Sequence, residues 1–434
     1  MVGRDASQKK MGFNATWSMA VGGMVGGGIF SVLGVVIAIA GQWAWLSFVI
    51  GGLIALATAF AYSQLAEQFG EGGGAFTFLR EIHREGFAGS LSWVLIFGYT
   101  LTISVYAFTF GHYLEHLVGL GPWFPRVCAV AIIGGLIAVN LRGVGDASDV
   151  EIVTVWGKLL VLIGLAAFGL WQWKPALLTQ GIQAKGPMAA MLGAASVFMA
   201  YEGFQLLTYD YDDIRNPKKI LPRAMLTAVV VVIFVYVGVT LGAAMLVGAG
   251  TIIEQQEVAI AVAGEAALGT LGLLLATIAA LFSTGSAINA TLFATARLTW
   301  DVAQDKELPP ALGHENQNGI PDRAVLIIGG TGTLLAIIGS LEILVEAASL
   351  VFLFTFATVN TLAFRQIKHR RWWVFAAGAA GASVAGAFLC WRLMHVAPVA
   401  LGLLAFLVLI ALVGRPFILR YSQSRKGNFM SGTI

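Results

Sequence analysis

Two side chains in this sequence carry charge where almost nothing around them does. Lys158 lies in "VWGKLLVLIG" and Glu202 in "SVFMAYEGFQLL" (196–207), each inside a long apolar run. A third stretch, "SMAVGGMVGGGIF" (18–30), holds five glycines and no charge. Each suggests a different chemistry. A lysine held out of water can be charged in one conformation and neutral in another, which is what carrying a proton requires. A carboxylate can accept a hydrogen bond from an amine or from a neighbouring helix. Glycine costs about 1 kcal/mol against alanine in a helix interior, so Gly26, Gly27 and Gly28 in a row invite local unwinding. Unwinding would free main-chain N–H groups, and with them the positive end of a half-helix, to meet an anion. The simpler alternative is close packing, because Gly22 with Gly26 and Gly23 with Gly27 match the small-xxx-small spacing of helix contacts.

The elements that must position these residues are membrane-spanning helices. The chain has 434 residues, 58% hydrophobic and only 11% charged, against roughly 25% charged in soluble domains. Twelve apolar runs read as candidate spans at 14–40, 43–66, 88–118, 123–141, 149–172, 187–210, 224–248, 268–296, 323–341, 344–364, 373–392 and 397–418. Pro122, Pro175, Pro187, Pro217, Pro222, Pro309, Pro321 and Pro398 are expected at span edges or between spans, where proline is tolerated. Placing both termini in the cytoplasm puts 21 of the 26 Lys and Arg on the inner side, among them "IRNPKKILPRA" and "RQIKHRRWW". Arg126, Lys174, Lys185 and Arg392 then fall outside, and Lys158 lies within the fifth span. The basic loops therefore face anionic lipid, and the net charge of +3 gives no reason to invoke nucleic acid. The amino-terminal stretch lacks a signal-peptide pattern, so the first span is expected to be retained. Cys128 and Cys390 fall in apolar runs and read as small core residues, neither a disulfide nor a metal pair.

A charged group at mid-bilayer costs on the order of 3 kcal/mol and commonly marks a pathway or site. Glu202 and Gly203 interrupt the sixth span as the glycines interrupt the first, five spans earlier. That spacing is the one expected of a transporter made of two inverted five-helix repeats, with a site between broken helices at the midplane. Free N–H groups after Gly28 would suit a carboxylate, and freed carbonyls around Met199, Ala200 and Glu202 would suit an ammonium. Together they suit a zwitterion.

Several segments carry a family resemblance. "VGGGIF", "YSQLAEQFGEGGGAFTFLRE" (62–81), "NLRGVGDAS" (140–148), "AYEGF…DDIRNPKKILPRA" (200–224) and "ARLTWDVAQDKELPP" (296–310) occur in order and at similar spacing. With them the chain resembles the amino acid–polyamine–organocation family of permeases. The resemblance implies an all-α membrane protein of twelve transmembrane helices, in a five-plus-five inverted repeat with helices one and six broken. The first repeat would cover 14–172 and the second 187–364, with two further helices over 373–418, all in one transporter domain spanning 1–434. It further implies that Gly26, Gly27 and Gly28 bind the substrate carboxylate and that Met199, Ala200 and Glu202 bind its amine. Phe198, Tyr201, Gly203 and Phe204 would form the gate and pocket; Met199 stands where relatives often carry an aromatic gate. Within the family, the resemblance is nearest to a proton-coupled amino-acid transporter, in which a fifth-span lysine occupies the cation position of sodium-driven relatives. Lys158 matches it, with the carbonyl of Gly22 and the hydroxyl of Ser283 as expected partners. Lysine snorkelling toward the cytoplasmic surface is the competing reading.

Ser104, Tyr106, Ser286 and Asn289 are polar groups in spans three and eight that could line the pocket or serve as interhelical contacts. The Glu202 side chain could face the pocket and select cationic substrates, or bond a neighbouring helix and leave only its carbonyl to the substrate. Asp210, Asp212 and Asp213 are expected at the cytoplasmic end of the sixth span, paired with arginines. The expected activity is secondary active transport of amino acids across the plasma membrane by proton-coupled symport, in a monomer or homodimer. The expected partners are an amino-acid substrate and the lipid bilayer. The expected coupling ion is the proton, with no cofactor, no metal and no enzymatic activity. A cationic amino-acid or amine exchanger and a non-transporting amino-acid sensor are the alternatives.

Overall fold

The computed structural model describes residues 10–70, 72, 74–82, 85–143, 148–411 and 415. The architecture is all-helical, with no strand among the described residues; an isolated parallel bridge pairs Met11 with Ile214. Apolar runs form α1 (Phe13–Ala40), α2 (Ala44–Phe69), the short α3 (Gly74–Glu81), α4 (Glu85–Val118), α5 (Phe124–Leu141) and α6 (Ser148–Trp171). The second half contains α7 (Ala189–Ser196), α8 (Pro217–Val247), the short α9 (Ala249–Glu254) and α10 (Ala259–Leu268), and α11 (Thr270–Gln304). It ends in α12 (Asp322–Ile338), α13 (Leu341–Gln366), α14 (Trp372–Val396) and α15 (Pro398–Leu409). Parts of "GEGGGA" and "NLRGVGDAS", the outermost terminal residues and the end of the last expected span lie outside the described residues.

Eight stretches among the described residues are long and apolar enough to cross a membrane, nine if a bent pair counts as one. The first of them, Phe13–Phe69, contains both α1 and α2. The expectation of twelve rests further on α12, of 17 residues, and on α15, which adjoins residues outside the described ones. Pro222, expected outside the spans, lies within α8, because that helix begins at Pro217 rather than near 224. Proline at 217 suits the first turn, where the missing N–H has no intrahelical acceptor anyway.

The packing centres on α1, of whose 28 residues 22 are buried. Lipid tails are as apolar as leucine, so helices in a bilayer associate through close packing and polar contacts. Both are present. Ser31 shares a hydrogen bond with Thr109 at 2.8 Å, joining α1 to α4, and Asn360 of α13 donates to Thr58 of α2 at 2.8 Å. Asn140 of α5 donates to Asn289 of α11, also at 2.8 Å.

The first and sixth runs behave differently. The break expected at Gly26–Gly28 is corrected: α1 is a single helix from Phe13 to Ala40. Its glycine face is packed on all sides, and that packing offsets the helix penalty of the glycines. The sixth run does break. α7 ends at Ser196, and the 3₁₀ turns over Phe198–Thr208 continue at 60° to it. Glu202 is extended there, and Gly203 has φ +128°, a conformation open to glycine and hardly to any other residue.

Candidate functional site

The broken segment lies directly against α1. A Cβ on Gly203 would stand 2.4 Å from the carbonyl carbon of Gly23, and one on Gly23 would stand 2.9 Å from the Cα of Gly203. Two backbones can approach this closely only where both residues are glycine. The rest of the α1 glycine face is covered in turn. A Cβ on Gly26 would meet Ala287 of α11 at 2.5 Å, and one on Gly27 would fall 2.0 Å from the Tyr106 ring of α4. At Gly28 it would meet the Tyr236 hydroxyl of α8 at 2.5 Å and the carbonyl oxygen of Ala200 at 2.9 Å. Gly26, Gly27, Gly28, Ala200, Gly203 and Tyr106 are thus brought together at one place, between α1, α4, α8, α11 and the break.

Three side chains donate to α1 carbonyls within residues 22–25. Lys158, on α6 and 2% exposed, donates through Nζ to the Gly22 oxygen at 3.2 Å. Tyr236 places its hydroxyl 2.7 Å from the Met24 oxygen and 2.9 Å from that of Ala200, so it links α1 to the break. Ser283 of α11 donates to the Val25 oxygen at 2.5 Å. In an α-helix the carbonyls of Gly22, Met24 and Val25 are the acceptors for the N–H groups of Gly26, Gly28 and Ile29. Lys158 and Tyr236 therefore share their acceptors with two of the glycines that sequence reading singled out, Gly26 and Gly28, and Ser283 shares its own with Ile29. Lys158 stands eleven residues into the 24-residue α6, buried against α1, which excludes the snorkelling reading.

The break has its own supports. Ser349 of α13 accepts from the Met199 N–H at 3.0 Å and donates to the Ser196 oxygen at 2.8 Å, serving two groups that the end of α7 leaves without helical partners. Gln205 accepts from the Gly203 N–H through Oε1 at 2.9 Å and donates through Nε2 to Glu202 Oε1 at 3.1 Å. The Glu202 carboxyl, 2% exposed, therefore makes a local bond within the break.

The other expected residues sit around this centre. Phe198 packs edge-on against Phe356 of α13, and Phe204 lies between Phe356 and Tyr62. Tyr201 donates to the Phe48 oxygen of α2 at 2.6 Å. Ser104 donates back to Thr100 within its own helix at 2.8 Å. Asn289 takes part in the α5–α11 contact described above, and Ser286, half-buried, lies one turn before it along α11. The Tyr106 hydroxyl is buried and has no hydrogen-bond partner among the described residues. Asp210, which follows the break, approaches Arg297 at 3.9 Å.

Sequence reading missed Tyr236, Ser349 and Gln205. A hydroxyl in the otherwise apolar "VVIFVYVGVT" was a usable signal for Tyr236. Ser349 and Gln205 look like ordinary polar residues until the break they serve is seen.

Residues 11–429 match the family model described as amino acid permease. The chain is 31% identical to an uncharacterised protein of Methanocaldococcus jannaschii, over 80% of this chain and 81% of that one. It is 28% identical to an inner membrane transport protein of Escherichia coli, over 83% and 84% respectively. Identity to a serine/threonine exchanger of Bacillus subtilis is 25%, over 70% of each chain. With a family match across nearly its whole length and relatives that are transporters rather than enzymes, this multi-pass membrane protein belongs to the amino acid permease family.

Proposed function

We propose that the protein carries amino acids across the plasma membrane by proton-coupled symport, with both termini cytoplasmic. Its working frame is two inverted five-helix repeats, 14–172 and 187–364, with α14 and α15 as additions, making twelve crossings. The substrate binds between α1 and the break of the sixth span. Its ammonium meets main-chain carbonyls at Met199, Ala200 and Glu202. Its carboxylate lies along Gly26, Gly27 and Gly28, where no Cβ stands in the way. Tyr106 covers that strip and must turn aside for the substrate, and its unpartnered hydroxyl is then free to donate to the carboxylate.

The observation that carries this reading is the set of donors on α1. For the amides of Gly26 and Gly28 to bind an anion, α1 must open there during the cycle. The carbonyls released by that opening would already hold Lys158 and Tyr236 as partners, which lowers its cost. Lys158 is the proton carrier. Charged, it ties α6 to the Gly22 carbonyl; neutral, it bonds that carbonyl more weakly and lets the helices part. The small, close-packed site and the similarity to the Bacillus serine/threonine exchanger support small neutral amino acids as substrates.

The test is the Lys158→Ala variant in proteoliposomes. Uptake driven by an imposed pH gradient should fall to background, while substrate still raises the protein's thermal stability by mass action. Full pH dependence in that variant would remove Lys158 from the mechanism.

A further inference from the structure

Gln205 uses every part of its amide. It is 1% exposed, in the 3₁₀ turn Phe204–Thr208 that follows Gly203, and its Oε1 accepts the Gly203 N–H at 2.9 Å. That N–H can only donate, so it fixes which end of the amide faces it. Nε2 is thereby turned to the other side, where it lies 3.1 Å from Glu202 Oε1 and 3.3 Å from the Tyr99 hydroxyl of α4. The backbone break orients the amide, and the amide in turn holds the carboxyl.

The held carboxyl is close to the proposed substrate site. Glu202 adjoins Gly203, which is pressed against Gly23 of α1, and through Gln205 it is linked to the Tyr99 hydroxyl of α4. A carboxylate so placed would be a natural counter-charge for a substrate with a cationic side chain, which would pay back part of the cost of keeping that charge in the membrane. Gln205 takes up one of its oxygens and directs it along the break.

We infer that Gln205 is a specificity-determining positioning residue: by engaging Glu202 it withholds the carboxylate from the substrate and restricts transport to amino acids with neutral side chains. The inference rests on the amino-acid symport proposed above. It adds that selectivity against cations is enforced by a neighbour of the site rather than by the lack of a counter-charge within it.

Two substitutions release Glu202 by different routes. Gln205→Met keeps the length of the side chain and removes both ends of the amide. Gln205→Glu keeps an acceptor for the Gly203 N–H, and so the turn, but replaces the donors facing Glu202 with a second carboxyl that drives it away. The measurement is the ratio of radiolabelled lysine uptake to radiolabelled alanine, serine or leucine uptake in proteoliposomes of the full chain. Size-exclusion elution of each variant establishes that it is folded. The wild type should favour the neutral probes, and at least one folded variant should raise the lysine ratio tenfold or more. The double variant Glu202→Gln/Gln205→Met should lose that gain, which a purely structural role for Gln205 would not predict. Folded variants that keep the wild-type ratio would overturn the inference, as would a wild type that takes up lysine as readily as the neutral probes. If the wild type takes up no amino acid under any gradient, the underlying transport reading fails instead.

Discussion

Tyr106 shows most directly how one residue can be costly to the resting protein and useful to its work. A buried hydroxyl without a partner costs about 1–3 kcal/mol, and the Tyr106 hydroxyl, on the ring that lies over Gly27, has none among the described residues. Tyr106→Phe keeps the ring that covers the glycine strip and deletes that hydroxyl. The substrate-free variant should therefore be more stable, by about 1 kcal/mol, in thermal unfolding in detergent. Amino-acid affinity should fall by about tenfold or more, as expected for losing one hydrogen bond to a charged group, about 1.5–3 kcal/mol. A variant that is both less stable and unchanged in affinity would mean the hydroxyl has no part in binding.

At the level of elements, the sixth span shows what a broken helix needs. Ending α7 at Ser196 strands a carbonyl and, past the turn, an N–H; Ser349 takes both with a single hydroxyl. Ser349→Ala leaves the two groups unpaired in a dry interior, which should cost about 1–3 kcal/mol and lower the melting temperature accordingly. Neighbouring hydroxyls that bond only within their own helix, such as Thr355, should tolerate the same change far better. The break itself was legible, because a carboxylate and a glycine in mid-span leave few other readings. The state of α1 was not. Its glycines mark a helix that is easily opened, but whether it is open depends on the Tyr106, Ala287 and Gly203 surfaces pressed against it, and those come from distant parts of the chain. The same limit hid Gln205 and Ser349, whose roles exist only relative to a broken backbone. Pro222 was misplaced because α8 starts at Pro217, so the proline falls in its second turn, where it removes the bond that residue 222 would give to the Lys218 carbonyl.

Across the whole molecule, contacts on both faces hold the helices around the site. On the proposed cytoplasmic face, Arg80 of α3 pairs with Asp305 at 2.9 Å, and Met11 bonds the backbone on either side of Ile214. On the opposite face, Lys185 in the segment before α7 donates to the Ala38 and Ile39 carbonyls at the end of α1, and its own carbonyl accepts from Gln42 and Trp43. Burial, and then the charge of Arg392, holds the Lys185 amine below its usual range. The folded protein thus binds this proton less well than the unfolded chain, so the group makes stability rise with pH through the alkaline range, up to the unfolded lysine value of about 10.4. Lys185→Met should lack that component of the rise when melting temperatures are compared between about pH 8 and pH 10. An identical pH profile in the variant would show that this lysine does not contribute.

The central claim is that a proton gradient drives net movement of amino acids through this site. The most direct measurement is accumulation of radiolabelled alanine, serine or leucine by wild-type proteoliposomes that contain no amino acid and have an alkaline interior, with and without a protonophore. The account predicts accumulation above the external concentration that collapses when the protonophore is added. Uptake that ignores the gradient and appears only when the vesicles are preloaded with amino acid would contradict it, and would make the protein an exchanger.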